Sequence, residues 1–187
     1  MAKTVKPPAT ALAPVPVVLV STVSQLGEPN LITLAWCGIL CSEPPMVGIS
    51  IRPSRYSWEL LQALPEFVVN VPGEDLVRAV DLCGLVSGRD TNKFEAAELT
   101  PEPASKVKPP LVKECPINLE CQVRSTLELG THYLFLGQIV AVHYEEAILS
   151  ESGDPDLEKA KLYSYCLGEY RGLGPKLGSY GYSKGKL

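Results

Sequence analysis

Nowhere in the chain do apolar residues run on for the roughly 18 positions a bilayer span requires. The longest reach, Val15 to Val20, is short and broken by Pro16, which argues against a membrane protein. Lys3 and Lys6 precede an apolar run as in a secretory leader, but Pro7, Pro8, Pro14 and Pro16 break any helix there, so the run reads as a buried strand and the chain as cytoplasmic. Positive charge is scarce as well. Seventeen Lys and Arg against 21 Asp and Glu give a net charge of −4, which offers no broad cationic field for a nucleic-acid backbone. Neither GxGxxG nor GxxxxGKS/T occurs, so no Rossmann or P-loop nucleotide site is indicated, and GxSxG hydrolase grammar is missing too. Histidine is down to His132 and His143, eleven positions apart and too distant for one element to present both to an ion. Cys37 and Cys41 are spaced CxxxC and Cys115 and Cys121 lie six apart, neither of which is a paired CxxC zinc arrangement. No metal is expected.

What is present is an ordinary globular composition. The 187 residues, 45% hydrophobic, suffice to bury about 70% of the unfolded surface, so the fold needs no staples and the six cysteines read as reduced thiols. Seventeen prolines and 15 glycines signal many turns. Residues 1–14, rich in Pro, Ala and Lys, read as an extended arm. Val15 to Val23 and Leu31 to Trp36 read as strands around a Gly27 to Asn30 turn, and Met46 to Ile51 as a third beyond Pro44 and Pro45. Trp58, Leu61 and Leu64 mark a short helix with Ser57 as its N-cap, ending before Pro65. Phe67 to Val71 is the next strand, and Asp75 to Val86 a second helix with Leu76, Val80 and Cys83 on one face. The proline-rich stretch 100–116 reads as a long crossover within one domain. From Ile117 to Leu129 apolar and polar residues alternate strictly, predicting a strand with Leu119, Cys121 and Leu127 buried and Asn118, Glu120 and Gln122 wet. Tyr133 to Tyr144 and Leu162 to Leu167 complete about six strands, which with short helices point to a mainly β, Greek-key barrel.

One connection carries chemistry by composition alone. Arg52-Pro53-Ser54-Arg55-Tyr56-Ser57 places two guanidiniums, two serine hydroxyls and a helix N-terminus together, which suits a phosphate; the competing reading is a solvated turn. Cys121 reads as a small core residue. His132, after Gly130-Thr131, faces either a cleft or the fold, and His143 reads as a surface position.

Taken in order, NLITLAW (Asn30 to Trp36), Pro44-Pro45, SIRPSRYSWELL, EFVVNV (Glu66 to Val71), Cys83-Gly84, Ser87-Gly88, Lys93-Phe94, PLVKECPINLEC and HYLFLG (His132 to Gly137) resemble the flavin reductase-like FMN-binding split-barrel family, with spacing closest to flavoredoxin-type proteins. The resemblance covers about residues 12–170. It implies a six-stranded Greek-key split barrel over 15–170, flanked by the arm and a Gly/Tyr-rich tail at 171–187, forming a homodimer with one FMN per subunit. By similarity, Thr33, Leu34, Ala35, Trp36 and Cys37 would run along the isoalloxazine. Arg52, Ser54, Arg55 and Ser57 would surround the phosphate. Asn70, Cys83, Gly84, Ser87 and Lys93 would line the remaining side, and His132 would stand at the reactive face as the catalytic candidate. One departure is Asn92, where the family commonly has Asp before Lys-Phe. The implied activity passes electrons from NADH, NADPH or a redox-protein donor through FMN to an acceptor, as in a flavin or ferric reductase; the alternative is an electron-carrier module without nicotinamide turnover.

Overall fold

A computed structural model describes residues 1–186. In chain order the strands are β1 (Val15–Pro16), β2 (Val18–Val23), β3 (Pro29–Leu34), β4 (Cys37–Ser42), β5 (Pro45–Ile51), β6 (Glu66–Val71), β7 (Pro101–Glu102), β8 (Leu111–Val112), β9 (Ile117–Glu128), β10 (Tyr133–Tyr144), β11 (Tyr163–Cys166) and β12 (Glu169–Gly172). Helices α1 (Tyr56–Ala63), α2 (Val77–Leu85), α3 (Lys93–Ala96) and α4 (Leu157–Ala160) are all short.

Seven strands form one antiparallel sheet in the order β3-β2-β6-β9-β10-β5-β4. Its two edge strands, β3 and β4, are consecutive in the chain and joined only by Ala35 and Trp36. So short a link cannot span a flat sheet of that width, since neighbouring strands lie about 4.8 Å apart. The sheet is therefore rolled until its edges adjoin at residues 35–36, with no β3–β4 ladder closing the seam among the described residues. This is the mainly β split barrel that the resemblance implies, with seven strands in the sheet where six are expected. The ribbon Cys37–Ser42, read above only as a connection, is a strand of it, paired with β5.

The barrel interior is filled by Val18, Val20, Ile32, Ile49, Phe67, Val69, Cys121 and Phe135 among others. Phe67 explains one glycine: a side chain at Gly137 would come within 2.4 Å of its ring. A second cluster, Val17, Leu19, Leu31, Val80, Cys83, Phe94 and Tyr163, packs α2 and α3 on the outside of β2 and β3. Strand β2 is buried on both faces, which is why Val15 to Val23 reads as a continuous apolar run and not as an alternation. The small sheet β1-β11-β12 lies at the same end.

The strict alternation of β9 misleads. Asn118 and Glu120 are buried at 6% and 0% exposure, while Leu127 and Leu129 are exposed. The first half of β9 lies mid-sheet with the crossover packed over its outer face, and that irregular segment presents backbone N–H groups needing an acceptor. Glu120 supplies it, taking hydrogen bonds from Ser105 N (2.8 Å), Ser105 Oγ (2.7 Å), Lys106 N (2.6 Å) and Val107 N (3.0 Å). His143, read as an ordinary surface residue, donates Nε2–H to the same carboxylate at 2.5 Å. Among the described residues no helix is long and apolar enough to cross a membrane.

Candidate functional site

The seam opens into a cavity of about 650 Å³. Its floor is the β3–β4 link with Thr33, Leu34, Ala35 and Trp36. One wall is the β5–α1 connection with Arg52, Ser54, Arg55 and Ser57; the facing wall is the end of α2 with Cys83 and Gly84, continued by Ser87, with Lys93 behind it. His132 enters from the β9–β10 turn, and Tyr165, Leu167 and Tyr170 from the small sheet.

Arginines dominate one end. Residue Arg55 is the N-cap of α1, extended at φ −86° and ψ 139°, and no side chain caps the helix. A guanidinium cannot accept a hydrogen bond, and Trp58 N–H already donates to the Arg55 carbonyl at 3.0 Å, so the N–H groups of Tyr56 and Ser57 at the start of α1 are the ones left for an outside acceptor, with Arg52 and Arg55 in the same connection. Ser57, expected to be the N-cap, lies inside the helix and is buried; its Oγ accepts from Asn30 Nδ2 at 2.8 Å. It faces inward because β3 lays Asn30 beneath the first turn of α1. Asn30 itself is 95% buried and its Oδ1 has no partner. A side chain at Gly88 would stand 1.9 Å from that oxygen, so the 87–88 wall closes on β3 only with glycine there.

Lys93 stands at the other wall. It is 94% buried, and its Nζ donates to the Cys83 carbonyl at 2.7 Å. Among the described residues it has no carboxylate partner. Burial pushes its ammonium below the usual value, with Arg55 adding to the effect and Cys83 opposing it. A buried cation of this kind is stabilised by an electron-rich or anionic ligand. Burial raises the Cys83 thiol to about 11 despite Lys93, so it is a neutral wall and not a thiolate. Thr33 Oγ1 donates to Val80 O at 2.5 Å, fixing the floor to α2.

His132 is held from three sides. It packs against Trp36 with ring centroids 4.6 Å apart and the planes tilted by 45°, and Arg52 Nε donates to its Nε2 at 3.3 Å. Nε2 is therefore the acceptor nitrogen, and Nδ1–H donates to Thr131 Oγ1 at 2.9 Å. Burial, then the Arg52 charge, hold its pKa below the usual value.

All but two of the residues singled out from sequence line this cavity. Cys37 instead lines an adjoining apolar groove of about 430 Å³ with Gly38, Leu40, Gly48 and Leu134, which shares Trp36 as its wall; as the first residue of β4 it has already crossed the seam. Asn70 is sealed in the centre of the sheet at 0% exposure. Its Nδ2 donates to Leu19 O at 3.1 Å, and its Oδ1 accepts from Val112 N (2.9 Å) and Asn118 Nδ2 (2.8 Å). It ties the crossover to β6 and β9 and does not reach the cavity. The sequence reading passed over Asn30, Tyr56, Gly88, Tyr165 and Tyr170, all of which line it. Tyr56 lay within the arginine segment and Asn30 at the head of NLITLAW, while nothing local marked the two tyrosines of the small sheet. Asn92, the departure before Lys93, caps α3 by accepting from Glu95 N at 3.5 Å.

The family model for the flavin reductase like domain matches residues 10–174. An uncharacterised protein of Archaeoglobus fulgidus is 40% identical over 135 residues, 72% of this chain and 75% of that protein. The flavoredoxin of Desulfovibrio vulgaris (Miyazaki F) superposes with a TM-score of 0.92 at 31% identity, over 98% of this chain and all of that one. A flavoredoxin from Methanosarcina acetivorans gives 0.89 at 32% identity, with both chains fully covered.

Proposed function

The chain belongs to the flavin reductase-like family of flavoproteins, and from that premise we propose that it holds FMN in the seam cavity and moves electrons from NADH or NADPH to an acceptor. The observation that carries this reading is the pairing of Arg52 and Arg55, at an uncapped helix start, with a buried, carboxylate-free Lys93 in one cavity. That donor set fits a ligand with a phosphate at one end and an electron-rich ring edge at the other. FMN would supply hydride acceptance and one- or two-electron release.

The protein's own groups would do the rest. Arg52, Arg55 and the free N–H groups of α1 hold the phosphate, with Ser54 in the same connection. Lys93 faces the pyrimidine edge and favours added negative charge there. Ala35 and Trp36 form the floor along the ring, and His132, packed at a tilt against Trp36, stands where a nicotinamide or the acceptor would approach. The exposed apolar surface of Trp36, Ile39 and Leu40 beside the adjoining groove supports a homodimer. A second reading, an electron carrier fed by a redox protein and without nicotinamide turnover, is favoured by the end-to-end likeness to two flavoredoxins.

Purified protein should be yellow, and mass analysis of the released cofactor should give FMN. Anaerobic stopped-flow mixing with NADH and NADPH then separates the readings: bleaching of the flavin band supports the reductase, and a bound flavin untouched by either nucleotide supports the carrier. Colourless protein that takes up no added FMN rejects both.

A further inference from the structure

Arg89 is not part of the cavity lining, yet it joins the two loops that wall the phosphate end. Its Nη1 donates to the Ser54 carbonyl at 3.1 Å, and Nη2 pairs with Glu59 in the first turn of α1. Its guanidinium carbon stands 5.5 Å from the centre of the Tyr56 ring. Its own backbone N–H is held by Ser87 Oγ at 3.2 Å. One side chain thus holds the 52–57 connection at Ser54 and Tyr56 and the first turn of α1 at Glu59, while its backbone belongs to the adjoining wall at Ser87-Gly88. The geometry points to Arg89 as the positioning residue that sets the phosphate-binding connection, through Ser54 and Glu59, in the conformation where Arg52, Arg55 and the α1 N-terminus converge; this rests on the FMN reading above.

Fold stability does not account for the arrangement. The Arg89–Glu59 pair is 39% and 50% exposed, and such surface pairs contribute little to folding. Arginine is suited to the task because a planar fork can serve a carbonyl and a carboxylate together, which a lysine ammonium cannot do in the same geometry. The acid partner makes the inference testable by sign. Glu59 puts a negative charge near the proposed phosphate site, so by Coulomb's law alone its neutralisation should tighten FMN binding. If instead Glu59 acts by fixing Arg89, neutralisation should loosen it.

The test is titration of apo-protein with FMN and with riboflavin, which has no phosphate, for the wild type, Arg89→Ala, Arg89→Lys and Glu59→Gln, alongside the melting temperature of each apo-protein. Expected are an FMN affinity about 10-fold lower for all three variants, riboflavin affinity and melting temperature near wild type, and no further loss in the Arg89→Ala/Glu59→Gln double variant. Tighter or unchanged FMN binding by Glu59→Gln, or equal losses for FMN and riboflavin, overturns the role of Arg89. Wild-type protein that binds FMN no better than riboflavin rejects the phosphate assignment itself, and the positioning role with it.

Discussion

Arg52 and Arg55 share a cavity but not a situation. Arg52 already donates to His132, whereas Arg55 has no ion pair among the described residues. Replacing either with alanine should weaken FMN by about 1.5–3 kcal/mol, the range for a charge-assisted hydrogen bond, and leave riboflavin nearly unaffected. Equal losses for both flavins in a titration would assign the arginines to the fold. For His132, change to alanine should slow flavin reduction about 10²-fold with FMN affinity little changed. Because burial and Arg52 hold its pKa below the usual 6.5, a step that uses its proton should slow as pH rises through a value under 6.5, and the alanine variant should lose that limb. Stopped-flow rates against pH check this; unchanged reduction by both NADH and NADPH in the variant removes His132 from the chemistry.

At the scale of elements, Glu120 shows how a strand holds down a crossover. Burial alone would raise its carboxyl, but hydrogen bonds from Ser105, His143 and Lys106 outweigh that and hold it at about 2, against an ordinary 4.5. Since the folded value is the lower one, the ionised carboxylate stabilises the fold at every pH above about 4.5, and this contribution fades between there and about 2. Its full size is roughly 3 kcal/mol at 1.36 kcal/mol per pH unit. The wild type should therefore lose urea resistance between pH 5 and pH 3, and Glu120→Gln should begin weaker and lose much less over the same interval. Parallel declines in the two proteins would place the acid sensitivity elsewhere.

For the whole molecule, the rolled sheet leaves two edges at the seam and an apolar groove beside one of them. Trp36, Ile39 and Leu40 are 45%, 67% and 55% exposed there, a cluster that a lone domain in water would be expected to cover. Sedimentation at low micromolar concentration should give a dimer, and Ile39→Lys with Leu40→Lys should shift it towards monomer. A wild-type monomer that retains FMN tightly would count against the dimer.

Composition and local pattern were enough to exclude a membrane helix and a nucleotide P-loop, to place most strands, and to assemble the arginine segment, because each rests on neighbours in the chain. The ordered motifs added the family and most of the cavity lining. What local pattern could not reach were contacts made across the sheet. The alternation of Ile117 to Leu129 is blind to the crossover that buries Glu120, and the polarity of Asn70 looks the same whether it meets a ligand or Val112 and Asn118. The hydroxyl of Ser57 would cap a helix in isolation but turns to Asn30 once β3 lies beneath it. Arg89 acts on a segment 35 positions earlier, so only the closing of the barrel could bring it to Ser54. Sequence determined which groups were available, and the tertiary structure decided which of them met, because hydrogen bonds and burial are settled by distance in space and not along the chain.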